Sequence, residues 1–153
     1  MSSTGFRNES ALTARHIDAA LLVLRIILGV TMAAHGATKV FTMGFGAVSG
    51  GFAKMGVPMP GVMGPFISLL EFAGGIMIVL GLLTRIVGFL LACDMLGAIV
   101  LVHFRNGFFL PSGYEFVMLL GGIALALALS GAGRYSVDEL IYSRRRRNDA
   151  MRL

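Results

Sequence analysis

The chain has 153 residues, of which 56% are hydrophobic and 14% charged, and its mean hydropathy is +0.83. Soluble domains carry about 25% charged residues, so this composition indicates a membrane protein. It argues against nucleic-acid binding, despite the formal net charge of +5. The single cysteine, Cys93, excludes an internal disulfide and dithiol chemistry within the chain.

The N-terminal part of the chain divides into a polar arm, residues 1–18, and an apolar run that predicts a first membrane span over about 19–35. This run and the residues just after it carry three cationic or titratable side chains. In a helix, steps of three or four residues bring side chains to one face. The stripe of side chains predicted on this basis consists of Arg25, Leu28, Met32, His35 and Lys39.

Three further apolar runs follow, separated by segments rich in glycine and proline. A helix needs about 20 residues to cross a hydrocarbon core of about 30 Å. The runs predict spans over about 62–83, 86–104 and 115–130. The connection from Gly36 to Gly61 is the longest, and its middle, Ala47 to Met55, fits a short helix or a loop equally well.

The basic residues predict the orientation of these spans. Four spans put both termini on one side, where nine Lys and Arg lie, against three on the other side. The excess places both termini in the cytoplasm, with residues 134–153 as a basic tail that meets anionic lipid headgroups. The sequence therefore predicts an all-α membrane protein, a four-transmembrane-helix bundle formed by residues 19–133 and embedded in the lipid bilayer.

Charged residues inside the apolar runs form a deep layer, which consists of Arg25, Glu71 and Asp94. An unpaired arginine in a span costs roughly 2.5–3.5 kcal/mol on insertion scales. We therefore expect Arg25 to pair with Glu71 or Asp94 inside the bundle. Such a pair serves either as interhelical glue or as a functional charge.

A second polar layer lies at the predicted outer face of the membrane. We expect His35, Lys39 and Glu115 to line one outward-facing pocket, with Glu71 at its floor. Lys39 and His35 would donate hydrogen bonds to an anion or a quinone carbonyl. Interfacial side chains, or a closed salt-bridge network without room for a ligand, are the alternatives.

His103 is a conditional member of this pocket. It follows Asp94 by nine residues, which puts the two half a turn out of phase on a regular helix. His103 therefore joins the pocket only if the third span ends or bends before it. No H-x-x-H or E-x-x-H spacing is present to fix a metal site, and none is predicted.

A series of motifs extends from Ala19 to Asp138: L-R-I-I-L-G-V-T-M-A-A-H-G-A-T-K-V-F, G-V-P-M-P, E-F-A-G-G-I-M-I-V-L-G-L-L-T-R, a charged third span, G-Y-E-F and G-A-G-R-Y-S-V-D. In order and spacing it resembles the DoxX family. The resemblance implies a small multi-pass protein of the bacterial inner (cytoplasmic) membrane, related to the DoxD membrane subunit of thiosulfate–quinone oxidoreductase. The family's motif positions correspond here to Arg25, His35, Gly36, Lys39, Glu71, Arg85 and Glu115.

Two classes of function follow from these observations. One is a redox-associated subunit of a membrane complex, which binds a quinone or a small sulfur anion at the outer pocket. The other is a non-catalytic anchor or scaffold for a soluble partner, or a small-solute conduit. The sequence has no haem-ligand pattern and no flavin motif, which argues against an autonomous oxidoreductase and leaves quinone as the one cofactor to consider. A homo-oligomer is compatible with either class.

Overall fold

The computed structural model describes residues 3–151, with side chains from Leu12 onward. Within this range all regular structure is helical. The helices are α1 (Ser3–Ala37), α2 (Phe45–Lys54), α3 (Pro60–Leu80), α4 (Thr84–Ala98), α5 (Glu115–Ser130) and α6 (Val137–Ala150). Three apolar helices, Leu12–Met43, Pro60–Leu80 and Thr84–Asn106, are long enough to span a membrane, and α5 is a shorter apolar helix. The predicted all-α bundle of four apolar helices is confirmed.

Several helix ends differ from the predicted boundaries, and the long connection contains a helix. The backbone of α1 is helical from Ser3, so it includes most of the segment predicted as an arm, residues 1–18. The middle of the long connection forms α2, which decides between helix and loop. The basic tail is helical as well, because Ser136 caps α6 by accepting a hydrogen bond from the N–H of Glu139.

The turn between α3 and α4 shows how one end of the bundle is closed. Gly81 and Leu83 have positive φ angles of 69° and 49°, which end α3 at Leu80 rather than at residue 83. The carboxylate of Asp138 accepts the N–H groups of Leu83 and Thr84 at 2.8 and 2.9 Å. Asp138 thus satisfies the free donors at the start of α4 from a distant part of the chain. We call this end, which holds Arg85, Arg134 and α6, the basic end.

The core of the bundle is apolar, and so is much of its surface. The buried core side chains are Leu28, Met32, Ile78, Val87, Leu91, Met95, Val117, Leu120, Ala124 and Leu127. Large apolar side chains such as Val30, Phe89 and Leu129 are exposed on the outside of the helices. Such an apolar surface suits a hydrocarbon environment. Helices also suit it, because they satisfy their own backbone hydrogen-bonding groups.

Glycines bring the backbones of α1 and α3 into direct contact. A methyl group at Gly29 would lie 2.6 Å from the carbonyl oxygen of Gly75, and one at Gly36 would collide with the backbone nitrogen of Phe72. Small residues at a helix interface allow this approach in membrane bundles. The contact fixes the register between α1 and α3. It therefore determines which residues of α3 lie opposite the segment that follows α1.

Arg25 lies at the basic end and hydrogen-bonds to the backbone. Its Nε donates to the carbonyl of Ile78 at 3.0 Å, and Nη2 donates to that of Val79 at 2.7 Å. Its Nη1 donates to the carbonyls of Ala132 and Tyr135 at 2.9 and 2.8 Å. Carbonyls in the last turn of a helix lack intrahelical partners, and the guanidinium supplies donors for two of them. Arg25 thereby ties α1 to the end of α3 and to the segment after α5.

The predicted pairing of Arg25 with Glu71 or Asp94 is therefore wrong. Glu71 precedes Ile78 by seven residues, which is about 10 Å along a helix. Glu71 instead contacts Lys39, near the other end of the bundle. We call that end, which holds Lys39, His103 and Glu115, the distal end.

The glycine contact predicts that Gly36→Ala destabilises the bundle. Alanine is the better helix former, but its methyl group would collide with the backbone of α3. We expect a loss of about 1–3 kcal/mol in the free energy of unfolding, measured in detergent. Gly122→Ala is the matched control, because a methyl group there meets nothing within 4 Å. Equal effects of the two changes would contradict the close contact.

The Arg25 hydrogen bonds predict that Arg25→Met destabilises the protein by about 3 kcal/mol or more, because it leaves carbonyl groups without donors. Arg85→Met should cost less, since the bonds from Arg85 to the carbonyls of Leu129 and Ser130 are exposed. Unfolding in detergent measures both. Combining Arg25→Met with Glu71→Gln should give additive effects, within about 0.5 kcal/mol. Strong coupling between them would support the carboxylate pairing instead.

Candidate functional site

A buried ion pair lies at the distal end. Lys39 Nζ is 2.5 Å from Glu71 Oε1, and Glu71 is 4% exposed. The second carboxylate oxygen, Glu71 Oε2, is buried and has no hydrogen-bond partner among the described residues. A buried acceptor without a donor costs about 1–3 kcal/mol, more when charged. The pair therefore leaves one strong acceptor available for a ligand or a proton.

The helix that carries Lys39 changes from an α-helix to a π-helix at Thr38, one residue before Lys39. α1 continues as a π-helix over Thr38–Met43, and the N–H of Gly44 donates to the carbonyl of Lys39, five residues earlier, at 3.1 Å. Single π-helical turns inside helices are frequent at functional sites. This turn places Lys39 against α3 at the point where the glycine contact ends.

A second π-helical turn lies on the facing helix. It covers Ile99–His103 at the end of α4, where the N–H of Phe104 donates to the carbonyl of Ile99. The altered turn brings Asp94 and His103 to one surface, and both line the same groove. The condition for His103 was that the third span ends or bends before it. This condition is met, because α4 ends at Ala98.

The distal cavity has a volume of about 300 Å³ and lies beside the ion pair. Its polar lining consists of His35, Lys39, Glu71 and His103. The remaining lining is mostly apolar and includes Met32, Met95, Phe116 and Val117. The structure thus brings four of the five side chains predicted to bind a ligand to one cavity, and the ion pair does not fill the space around it.

Glu115 is the predicted pocket residue that does not line this cavity. Its Oε1 accepts the N–H of Leu110 at 2.8 Å, and its own N–H donates to the carbonyl of Phe108 at 2.9 Å. Leu110 and Pro111 do line the cavity. Glu115 therefore shapes the loop that closes the cavity instead of facing a ligand.

The two histidines of the cavity differ in their surroundings. His103 Nδ1 lies 2.9 Å from the carbonyl oxygen of Ser112. A carbonyl only accepts, so Nδ1 carries the hydrogen and Nε2 of the neutral ring is an acceptor. His35 is exposed, and its ring centroid lies 6.3 Å from that of Phe116. The cavity thus has one histidine held by the backbone and one that is accessible.

A second, apolar groove of about 450 Å³ adjoins the cavity between α3 and α4. Its polar lining consists of Lys39, Asp94 and His103, and the atom Asp94 Oδ2 is buried without a hydrogen-bond partner in the described part of the chain. Asp94 thus shares a groove with Lys39 and is not paired with Arg25. The sequence did not reveal this, because Asp94 lies in the middle of the third span, at a depth compatible with pairing to either Arg25 or Lys39.

Metal ligands do not cluster in the described side chains: no three His, Cys, Asp or Glu residues lie where they could hold an ion. The arrangement can instead donate hydrogen bonds from Lys39 and accept them at Glu71 Oε2 and Asp94 Oδ2. Such a set of groups is chemically suited to a small molecule that both accepts and donates hydrogen bonds.

Comparison with known proteins identifies the family of this chain. The sequence profile of the DoxX family matches residues 20–104. This chain belongs to the DoxX family. The matched residues include the Lys39–Glu71 pair, Asp94 and both histidines of the cavity.

Curated relatives match most of this DoxX chain. "Putative oxidoreductase CatD" of Bacillus subtilis is 32% identical over 79% of this chain and 86% of its own length. "Inner membrane protein YqjF" of Escherichia coli is 34% identical, over 81% of this chain and 93% of its own. "Uncharacterized membrane protein Rv3486" of Mycobacterium tuberculosis is 30% identical, over 81% and 82%. No solved structure matches the chain.

The ion pair predicts a coupled effect on stability. Lys39→Met should lower the free energy of unfolding by about 3 kcal/mol, because it leaves the buried Glu71 charge without a partner. Adding Glu71→Gln should restore part of this loss, as measured by unfolding in detergent. Lys54→Met, at an exposed position on α2, is the control and should be neutral. Purely additive effects of the two changes at the pair would show that the contact is absent.

Proposed function

We propose that this protein is a redox-associated subunit of a membrane complex and binds a quinone headgroup in the distal cavity. The observation that carries the proposal is the buried Lys39–Glu71 pair beside a cavity of about 300 Å³. The second oxygen of the pair, Glu71 Oε2, has no hydrogen-bond partner among the described residues. Ligand pockets begin at about this volume. Lys39 would donate to a quinone carbonyl, and Glu71 would accept from the hydroxyl of the reduced form.

The charges favour a neutral ligand over a small sulfur anion. Two carboxyl groups, Glu71 and Asp94, lie near one ammonium, Lys39, so the group has no net positive charge when both histidines are neutral. A small anion such as thiosulfate would therefore find no excess positive charge to pair with in a medium of low dielectric constant. A quinone brings no charge and offers both acceptors and, once reduced, donors.

A subunit role fits the chemistry of the chain better than an independent enzyme does. The single cysteine, Cys93, cannot form an internal disulfide. Electrons would therefore pass between the bound quinone and a partner protein. The name of the relative CatD includes the term oxidoreductase, which supports a redox setting.

The basic residues orient the proposed site. Both termini would lie in the cytoplasm, since nine Lys and Arg lie at the basic end or in the adjoining terminal segments, against three at the other end. The distal cavity would then open near the outer face of the bacterial inner membrane. When the partner protein takes two electrons from a bound quinol, the two protons released would reach that face through His35 and His103.

The alternative is a scaffold that anchors a soluble partner. The observation in its favour is α6, whose four consecutive arginines and side chains Leu140, Ile141 and Tyr142 are exposed. A stable complex that depends on α6 and contains no bound small molecule would favour it over the quinone site.

The proposal predicts that the purified protein binds a quinone without a tail, such as dimethoxy-methyl-benzoquinone, in a calorimetric titration. His35→Ala and Lys39→Met should each weaken binding about tenfold, since a lost hydrogen bond of about 1.4 kcal/mol has that effect. Lys54→Met and His16→Ala are the controls, because both residues are exposed and lie outside the cavity. Excess thiosulfate should not displace the quinone. No binding, or equal losses in the controls, would refute the site.

A further inference from the structure

The apolar groove is built from three elements and faces the outside of the bundle. Phe52 and Met55 cover its distal end, and Phe66 and Leu70 of α3 form one wall. The opposite wall follows α4 from Leu90 through Cys93 and Gly97 to the π-helical turn. Cys93 is exposed, so the groove opens between α3 and α4 toward the surface that lipid would cover.

The groove is continuous with the distal cavity. Lys39, Ala98 and His103 line both spaces. Lys39 therefore stands at the border, with the polar cavity on one side and an almost wholly apolar channel on the other. Such a border suits a molecule with a polar head and a hydrocarbon tail.

Asp94 indicates which head can lie at the border between the groove and the cavity, since it precedes the bordering residue Ala98 by one helical turn. Its Oδ2 is buried without a partner among the residues described, and an isolated polar atom in an apolar site is costly. A hydroxyl group at the border would satisfy it, whereas the phosphodiester of a phospholipid has no hydrogen to donate. The border thus favours a neutral amphipathic molecule whose head can donate a hydrogen bond, as a reduced quinone does.

We infer that the apolar groove holds the hydrocarbon tail of a membrane quinone whose head lies in the distal cavity, and that the ligand enters sideways from the lipid between α3 and α4. This inference rests on the proposed function and adds the route and the tail site. The wall from Leu90 to Leu101 extends about 16 Å along α4 and the π-helical turn that follows it, which accommodates an extended prenyl or alkyl chain.

Gly97 offers a direct test, because a methyl group there meets nothing within 4 Å and a larger side chain would project into the groove. Gly97→Leu should therefore fill the groove without disturbing the fold. We expect it to weaken binding of decyl-ubiquinone at least fivefold and to leave binding of the tailless quinone unchanged. Gly122→Leu is the matched control, since Gly122 also has open space and lies outside the groove. It should change neither affinity.

Cys93 provides a second readout on the unmodified chain. It is the only cysteine and it lines the groove, so its alkylation by N-ethylmaleimide, followed by intact-mass spectrometry, reports one site. Decyl-ubiquinone should slow the alkylation at least threefold. The tailless quinone and decanol should have little effect, because the first has no tail and the second has no head to hold it.

The outcomes separate the two proposals. If both quinones bind equally well, and neither protects Cys93 nor responds to Gly97→Leu, the tail site is wrong and the headgroup site stands. If decanol or added phospholipid protects Cys93 as well as decyl-ubiquinone does, the groove is a general lipid-binding surface and the inference is wrong. If neither quinone binds, both proposals fail.

Discussion

The contact between Lys39 and Glu71 is the interaction on which the distal half of the structure depends. It exists because the backbones of α1 and α3 touch at Gly29, Gly36 and Gly75, positions where a side chain would collide with the facing helix. The contact sets the register, and the π-helical turn after α1 then directs Lys39 to α3. The buried carboxylate of Glu71 is thus paired at one oxygen and, within the described part of the chain, has no partner at the other.

The two ends of the bundle use buried charge in opposite ways. At the basic end, Arg25 donates to four carbonyl oxygens and is 1% exposed. All three nitrogens of the guanidinium donate hydrogen bonds, so Arg25 acts as a structural clamp. At the distal end, Glu71 and Asp94 each keep a buried oxygen without a partner among the described residues, beside open space. Unpartnered polar atoms destabilise a fold, so their presence next to a cavity supports a ligand-binding role.

The sequence was sufficient to predict the bundle and to select most of the residues that line the distal cavity, for clear physical reasons. Hydropathy and length define apolar helices in a membrane protein, and helical spacing placed His35 and Lys39 on one stripe. The cost of buried charge predicts that Glu71 pairs with a cation, although the predicted cation was Arg25 and the one in contact is Lys39. These arguments need only local pattern and the properties of the bilayer.

The remaining features depend on tertiary structure. The partners of Arg25 are backbone carbonyls, which every residue possesses and which no sequence pattern distinguishes. Glu115 has the right charge and depth for the pocket, but the loop before α5 engages it. His103 reaches the site only through a π-helical turn, and the apolar groove arises from the separation of α3 and α4. Helix periodicity predicts none of these.

Native mass spectrometry of the protein, gently purified from bacterial membranes, tests whether the distal cavity holds a quinone. We expect a bound species with the mass of the host's quinone, retained by the wild type and by Lys54→Met and reduced in Lys39→Met. A protein that carries no small molecule, or only phospholipid that persists in Lys39→Met, would contradict it. In that case the Lys39–Glu71 pair would serve the fold alone.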